Sequence, residues 1–246
     1  MQTNLGLQQT LNSPFSIQTM CGRFSFASSK DKIARQLGIK LEEDPVANYN
    51  IAPTQNAYVI TNDQPDTLQQ FRWGLIPYWA QNTKASSNLI NARAEGISSK
   101  PSFRMPVRKR RCLILADGFY EWRKTGRGMA CSPYRIVMHD GALLLFAGVW
   151  DVWQNQAGED VHSFSIITTR PNAEMSAVHN RMPVILPNRE LQNRWLQEKD
   201  LMDALPLLKP LEDEMLKVFP VSAEVNSVAT NKPELYDAVE LPPTLF

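Results

Sequence analysis

The stretch CLILADGFYEW, residues 112–122, joins an unbroken apolar run to an aromatic-rich end. Branched and aromatic side chains favour extended structure, and a short apolar run of this kind is typical of a strand with both faces buried. The sequence therefore predicts a strand here, with Glu121 near its end. A carboxylate between apolar neighbours is partly desolvated, so its pKa should rise toward the range that suits proton transfer.

Further strand-like segments lie on both sides of this stretch, with turn residues between them. The predicted strands are 57–61, 69–77, 132–139, 143–153, 163–169 and 216–222. The predicted helices are 28–39, 171–180 and the long apolar-periodic segment 188–208. This order lacks the strict strand–helix alternation of a doubly wound sheet. The expected fold is α+β, a single domain built on a curved, mainly antiparallel and barrel-like β-sheet flanked by a few helices.

The composition is that of an ordinary globular protein of 246 residues, with 43% hydrophobic and 21% charged residues. Since 26 Lys and Arg stand against 25 Asp and Glu, DNA binding would need a local basic patch rather than the charge of the whole protein. The three cysteines have no metal-binding spacing. We therefore expect reduced thiols in the cytoplasm and neither a metal nor another cofactor.

The first residues are polar and carry neither the basic start nor the apolar run of a secretory signal. We expect 1–20 to be a polar preface that is removed or not translated. Residues 21–230 are predicted to form the catalytic and DNA-binding domain, and 231–246 a C-terminal tail. No segment reaches the roughly 20 apolar residues of a membrane helix, so we expect no membrane association.

Six short motifs stand out, and four of them (20–24, 90–95, 116–122 and 179–183) concentrate polar, catalytically capable residues where a simple strand or helix does not need them. The six are MCGRF (20–24), YNIAPT (49–54), RWGLIPYW (72–79), INARAE (90–95), ADGFYEW (116–122) and HNRMP (179–183). In order and wording they resemble the motifs of the SOS-response-associated peptidase (SRAP) family, also called abasic-site-processing proteins. The resemblance runs from Met20 to about Asn226, and chance would rarely supply even three such motifs in order.

The resemblance implies that Cys21 follows the initiator methionine and becomes the first residue of the mature protein. Two routes are open: translation from Met20 with removal of that methionine, which we favour, or autocatalytic cleavage after Met20 in a chain begun at Met1. A free α-amine has a pKa of about 7.7–8.0, so part of it is unprotonated at neutral pH. It can condense with an aldehyde, and the neighbouring thiol can then close a thiazolidine ring.

By the same resemblance, the catalytic residues are Cys21, Asn91, Glu121 and His179. Glu121 is the candidate general acid and base. His179, whose pKa should lie near neutrality, assists sugar-ring opening and Schiff-base chemistry. The amide of Asn91 can hold Cys21 in register. Each also has an ordinary alternative role: a buried interior cysteine, a turn-forming asparagine, a solvent-facing glutamate and a helix-capping histidine.

The resemblance also implies a DNA-binding surface. Arg23, Arg93 and Arg181 are predicted to bind phosphates, because a guanidinium can make bidentate contacts to oxygen; surface salt bridges are the alternative. Four further residues match positions that line the DNA channel in the family. These are Pro53, Thr54, Trp79 and Trp122.

We therefore expect a DNA-damage response and repair protein that cross-links Cys21 to abasic sites in single-stranded DNA through a thiazolidine. We also expect autopeptidase-type processing of its N-terminus, as in a hydrolase of the peptidase class, and lyase-type reversal through Glu121. One alternative is a cysteine hydrolase that uses Cys21, His179 and Asn91 on peptides in trans. Another is a non-catalytic single-strand binder. The expected protein is a monomer that acts on nucleoid DNA in the cytoplasm, with any replication-fork partners left open.

Overall fold

A computed structural model describes residues 21–124 and 131–240, in which strands predominate over helices. The strands are β1 (Phe24–Phe26), β2 (Asn48–Ile51), β3 (Asn56–Thr61), β4 (Gln69–Trp73), β5 (Asn91–Arg93), β6 (Arg111–Ala116), β7 (Gly118–Lys124), β8 (Cys131–Met138), β9 (Leu144–Gln154), β10 (Asp160–Thr169), β11 (Met182–Pro183) and β12 (Leu216–Pro220). The α-helices are α1 (Lys30–Leu37), α2 (Pro106–Lys109), α3 (Ala173–Ser176), α4 (Arg189–Gln197) and α5 (Leu201–Ala204). Short 3₁₀ helices cover Thr83–Asn88, Ala94–Gly96, Leu205–Leu207, Ala223–Asn226 and Pro233–Tyr236.

Five of the strands form a closed ring in the order β10, β4, β3, β6 and β9. The ring closes because β10 pairs with both β4 and β9. All of its pairings are antiparallel except that of β10 with β4. Closure satisfies the backbone hydrogen bonds that an open sheet would leave at its edges. The short strands β5 and β11 pair with the C-terminal end of β10.

A second, antiparallel sheet has the order β12, β8, β7, β1 and β2. It connects to the ring at Asp117, between β6 and β7. The backbone bends at Asp117, whose N–H donates to the Ser25 carbonyl of β1 at 2.8 Å, while its carboxylate accepts from the Ala27 N–H and the Ser28 hydroxyl. The prediction of one continuous strand over 112–122 was therefore wrong. The stretch instead forms two strands that belong to different sheets.

Aromatic side chains fill the space between this sheet and the ring. Phe24 of β1 and Phe119 of β7 are cross-strand partners and are fully buried. The Phe24 ring lies 4.9 Å from that of Trp73 and 6.0 Å from that of Phe146, between ring centroids. Phe119 contacts Phe146 at 5.9 Å. Burying one side chain of this size contributes roughly 1.5–3 kcal/mol, so these contacts fix the sheet against the ring.

The predicted α+β fold, with mainly antiparallel strands and few helices, is confirmed. Three predicted elements had wrong boundaries besides the break at Asp117. The helix predicted over 171–180 covers only Ala173–Ser176. The strand predicted over 69–77 ends at Trp73, since the following Gly74 has a φ of 112°. The helix predicted over 188–208 breaks after Gln197, because Glu198 is extended and Asp200 begins a new helix by accepting from the Met202 N–H.

The predicted division of the chain at residue 230 stays a prediction. In the described part of the predicted tail, Leu235 is fully buried against Tyr120, Val221 and Val225. The predicted preface 1–20 and residues 241–246 lie outside the described residues. Across 21–124 and 131–240, no helix has the length and apolar character needed to cross a membrane.

Gly148 of β9 lies between β6 and β10 in the closed ring. A Cβ at this position would lie 2.3 Å from Ile114 Cδ1 and 2.9 Å from the Ser165 carbonyl oxygen. We expect Gly148→Ala to lower the free energy of unfolding by about 1–3 kcal/mol, as overpacking does. Thermal unfolding followed by circular dichroism measures this. In the control Gly96→Ala the new Cβ meets nothing closer than 3.9 Å, and an equal loss in both variants would contradict the expectation.

Candidate active site

The pairing of β1 with β7 brings Cys21 to Glu121. Phe24 faces Phe119 in the antiparallel ladder, and the Tyr120 N–H donates to the Arg23 carbonyl at 2.9 Å. Followed back along β1, the same register places Cys21 beside the second half of β7. The Cys21 backbone nitrogen donates to Glu121 Oε1 at 2.7 Å. In this chain that nitrogen belongs to the peptide bond with Met20; it would become an α-amine after removal of Met20.

Glu121 points toward the core because side chains alternate along a strand and Phe119, two residues earlier, is a core residue. It is only 3% exposed. Burial raises the pKa of its carboxyl from 4.5 to about 8, against the opposing effect of the hydrogen bonds from the Cys21 and Trp122 N–H groups. The raised pKa expected from the sequence is thus found. The residue lies inside β7, opposite Tyr134 of β8, rather than at a strand end.

Cys21 is 1% exposed and has a φ of 45°, a left-handed conformation that is uncommon for a residue with a side chain. Burial raises the pKa of its thiol, and the negative charge of Glu121 adds to this effect. The thiol is therefore protonated at neutral pH. The pair offers two exchangeable protons, one on sulfur and one on the carboxyl, in a space that solvent hardly reaches.

Asn91 and Arg93 begin and end the short strand β5, which runs parallel to β10. Asn91 pairs with Ile166 and Arg93 with Thr168. The stretch is extended, as expected, and residues two apart in an extended chain point to the same side. Asn91 is half-buried and Arg93 is exposed.

His179 and Arg181 lie between α3 and β11, on the other side of the end of β10. The Arg181 N–H donates to His179 Nδ1 at 3.2 Å. The Arg181 guanidinium donates to both carboxylate oxygens of Glu95, at 2.5 and 2.9 Å, and to the Thr168 carbonyl at 2.6 Å. The hydrogen bond from Arg181 holds the pKa of Glu95 below its usual range, and the charge of Arg93 adds to this effect. Arg93 and Arg181 thus both lie near the Glu95 carboxylate.

Sequence reasoning did not single out Glu95, although it closes the motif INARAE. The sequence feature that could have indicated Glu95 is its position two residues after Arg93. Arg181 makes a salt bridge, which was the ordinary alternative stated for the arginines, yet Glu95 is 56% exposed at its side chain. A pair with one exposed partner can exchange that partner for another anion.

Arg23 and Trp122 form a second group beside the Cys21–Glu121 pair. Arg23 Nη1 donates to Asn50 Oδ1 and to the Val225 carbonyl, both at 2.7 Å. The Arg23 guanidinium carbon lies 5.9 Å from the centroid of the Trp122 ring. Trp122 Nε1 donates to Asn226 Oδ1 at 2.7 Å. Sequence reasoning also missed Asn50, which stands inside the motif YNIAPT.

Pro53 and Thr54 lie in the connection between β2 and β3. Thr54 has a φ of 76°, and its N–H donates to the Trp73 carbonyl at 2.9 Å. Positive φ is a genuine outlier for a β-branched residue, and such strain clusters at functional sites. Pro53 is half-buried and Thr54 is exposed.

Trp79 is 54% exposed in the connection after β4. Neighbouring atoms hold this connection in place: the Tyr78 N–H donates to Asp151 Oδ2 at 3.0 Å, and Trp153 Nε1 donates to the Ala80 carbonyl at 2.6 Å. A large aromatic surface is therefore presented to solvent on an anchored loop.

The structure thus brings together Cys21 with Glu121, Arg23 with Trp122, and Arg93 with Arg181. The functional roles given to these residues stay predictions. Within the described ranges, no cluster of three or more His, Cys, Asp or Glu could hold a metal ion.

Comparison with known proteins agrees with the motif resemblance. A model of the family described as SOS response associated peptidase (SRAP) matches residues 20–228. The chain is 41% identical over 225 residues to a Bacillus subtilis protein named abasic site processing protein YoqW, covering 89% of this chain and 100% of that protein. It is 30% identical over 273 residues to the Rattus norvegicus abasic site processing protein HMCES, covering 90% of this chain and 77% of that protein.

Solved structures agree as well. A crystal structure of a protein from Bacteroides thetaiotaomicron superposes with a TM-score of 0.80 at 29% identity, over 89% of this chain and 100% of that one. A second, from Bordetella bronchiseptica, gives a TM-score of 0.72 at 26% identity, over 82% of this chain and all 100% of that one. The chain belongs to the SRAP family.

Because the pKa of Glu121 is about 8 in the folded protein and 4.5 ordinarily, the folded state holds a proton that the unfolded chain releases between these values. The stability that protonated Glu121 gives the folded state below pH 4.5 is therefore lost as the pH rises through about 8. Glu121→Gln cannot ionise and still accepts from Cys21. We expect its melting temperature to exceed that of the wild type by a margin that widens with rising pH over this range.

Scanning calorimetry of the wild type and Glu121→Gln at several pH values measures this difference in melting temperature. Glu95→Gln is the matched control, since the pKa of Glu95 is lowered. Its stabilising contribution should be present near neutral pH and lost as pH falls, which is the opposite sign. A margin for Glu121→Gln that does not change with pH would contradict the expectation.

Proposed function

We propose that the chain processes abasic sites in DNA, as the names of its relatives state for them, and that Cys21 captures the damaged sugar. One observation carries the proposal: the Cys21 nitrogen lies 2.7 Å from Glu121 Oε1, and both residues are almost fully buried. Once Met20 is removed, this nitrogen is a primary amine. The amine and the thiol then belong to one residue, beside an acid whose pKa suits proton transfer.

The chemistry begins at the aldehyde of the ring-opened abasic sugar. The amine adds to the aldehyde carbon and one water leaves, which forms a C=N bond. The thiol sulfur then adds to the same carbon while its proton passes to the nitrogen. A five-membered thiazolidine closes with no change in oxidation state. Since the thiol and the nitrogen belong to one residue, ring closure is intramolecular and strongly favoured.

Glu121 serves as the general acid and base of these steps. With a pKa of about 8 it is largely protonated at neutral pH, so it can donate to the oxygen that leaves as water. Its conjugate base can later accept a proton when the ring reopens. Reopening gives the lyase-type reversal that releases the DNA, and hydrolysis of the Met20–Cys21 bond at the same site gives the peptidase activity.

His179 and Asn91 have supporting roles in this proposal. His179 Nδ1 lies 3.2 Å from the Arg181 nitrogen and 3.4 Å from the Arg181 carbonyl oxygen, so the imidazole finds a partner there in either tautomer. A neutral imidazole of this kind can exchange a proton with the sugar hydroxyl during ring opening. Asn91 offers an amide that holds the Cys21 amine and a substrate oxygen.

The arginines and aromatic residues hold single-stranded DNA. Arg23, Arg93 and Arg181 bind phosphates, and Arg181 exchanges the exposed Glu95 carboxylate for a phosphate. Trp79 and Trp122 offer aromatic faces to bases, while Pro53 and Thr54 separate the strands where a duplex begins. Stacking on aromatic faces tolerates any base, which suits a protein that meets damage in every sequence context. The protein acts as a monomer on DNA in the cytoplasm.

The variant Cys21→Ala should form no covalent adduct with single-stranded DNA whose uracil has been excised. The wild type should give a gel-shifted species that survives heat and SDS. Like Cys21→Ala, Cys21→Ser keeps the α-amine and lacks the thiol, so both variants should be trapped only as the imine, after borohydride reduction. Cys112→Ala is the matched control, because Cys112 is also buried but has no part in the proposal, and it should cross-link fully.

Intact mass of the active protein gives the companion measurement, which should show a chain that begins at Cys21. Full cross-linking by a chain that retains Met20 would refute the proposal. Turnover of peptides in trans without any DNA adduct would favour the cysteine hydrolase instead.

Trp79→Ala should weaken the binding of undamaged single-stranded DNA by roughly 1–3 kcal/mol, the contribution of one stacked base. Fluorescence anisotropy with a labelled oligonucleotide measures the affinity. Met202→Ala is the control, since Met202 on α5 is 72% exposed and has no proposed DNA contact. Equal affinities of the two variants would exclude Trp79 from the binding surface.

A further inference from the structure

The segment 225–231, which follows β12, lies against β2 and β7 beside the candidate site. Val225 is fully buried in a cluster with Tyr120 of β7. Asn231 Oδ1 accepts from the Tyr49 N–H of β2 at 2.8 Å. The segment is thus held to the strands that carry the site, and residues 229–231 lie beyond the part of the chain that the family model matches.

Asn50 of β2 connects this segment to Arg23. It is 1% exposed. Its Oδ1 accepts from Arg23 Nη1 at 2.7 Å. Its Nδ2 donates to the carbonyl oxygens of Val225 (3.3 Å), Ser227 (2.9 Å) and Thr230 (2.8 Å). Because the Val225 carbonyl also accepts from Arg23 Nη1, Arg23 is held from two sides.

Trp122 is held by the same segment. Its Nε1 donates to Asn226 Oδ1 at 2.7 Å, and its ring lies under the Arg23 guanidinium. Both bonds to Arg23 use Nη1, and Nε is buried without a hydrogen-bond partner among the residues described. The contacts therefore fix the direction of Arg23 through Nη1, and among the described residues none accepts from Nη2.

We propose that Asn50 and the segment 225–231 are positioning elements for DNA binding: they hold Arg23 and Trp122 in the orientation that contacts the strand. This inference rests on the proposed function. Asn50 acts through Arg23 and touches no substrate itself. The amide is needed because it accepts from a guanidinium and donates to carbonyl oxygens at once. Alanine leaves these buried groups unsatisfied, and aspartate turns its second oxygen toward the carbonyls.

The test measures the affinity for undamaged single-stranded DNA, so that no covalent step contributes, for Asn50→Ala, Arg23→Ala and the double variant. We expect Asn50→Ala to weaken binding about fivefold and Arg23→Ala about tenfold or more, the sizes of one neutral and one charged hydrogen bond. The double variant should bind no more weakly than Arg23→Ala, because Asn50 acts through Arg23.

Salt dependence separates positioning from a general structural role. Losing one phosphate contact on a single strand lowers the slope of log K against log salt by about 0.7. We expect a lower slope for Asn50→Ala as for Arg23→Ala. Asn62→Ala is the control: Asn62 makes three side-chain hydrogen bonds, to Lys109, Arg111 and Trp150, against four for Asn50. Its loss should leave both slope and affinity unchanged.

The inference is overturned if Asn50→Ala binds the DNA as tightly as the wild type does. It is also overturned if the losses of affinity of the two single variants add in the double variant. If Arg23→Ala itself binds as the wild type does, the proposed role of Arg23 fails instead, and the two failures are distinguishable. Should Asn50→Ala not fold, Asn226→Ala gives the decision, because Asn226 is exposed and its loss releases Trp122 alone. Unchanged binding by that variant overturns the inference, and a loss of about threefold supports it.

Discussion

The register between β1 and β7 is the constraint on which the core and the site both depend. It pairs Phe24 with Phe119, whose rings fill the space between the sheet and the closed ring, and it brings the Cys21 nitrogen to Glu121 two residues further along β7. A slip of one residue would turn Phe119 and Glu121 to the opposite face together. The geometry of the proposed chemistry is therefore fixed by the same contacts that fix the fold.

This coupling has an energetic consequence. A carboxyl buried to 3% exposure opposes folding once it ionises, and Cys21 is held in a left-handed conformation. Both features raise the free energy of the folded state locally. Such features persist only where the packing around them holds the residues in place. The surroundings here are the aromatic contacts of Phe24 and Phe119 with the strands of a closed ring. A site with unfavourable local energy therefore lies beside a fully buried aromatic cluster.

The sequence predicted those parts of the structure that rest on local patterns. Long runs of branched and aromatic residues predicted β3, β8, β9 and β10, and the motifs placed Cys21 and Glu121 among the candidate residues. Strands of two to four residues, such as β5 and β11, are too short to leave a pattern and exist because β10 pairs with them. Glu95 and Asn50 were missed because each is hydrogen-bonded to an arginine far away in sequence, 86 residues away for Glu95 and 27 for Asn50.

Alternation along β7 also separates the two tasks proposed for the site. Glu121 faces the core and the Cys21 nitrogen, whereas its neighbour Trp122 faces the other side, toward Arg23 and the segment 225–231. In the proposed function, adjacent residues on one strand would thus serve proton transfer and DNA binding without sharing a contact surface. Because the backbone of β7 joins them rigidly, a strand of DNA held against Trp122 and Arg23 is held at a fixed distance from the buried pair. If the proposed capture takes place, the pleat of one strand, rather than a flexible loop, sets where the sugar lies relative to the attacking nitrogen.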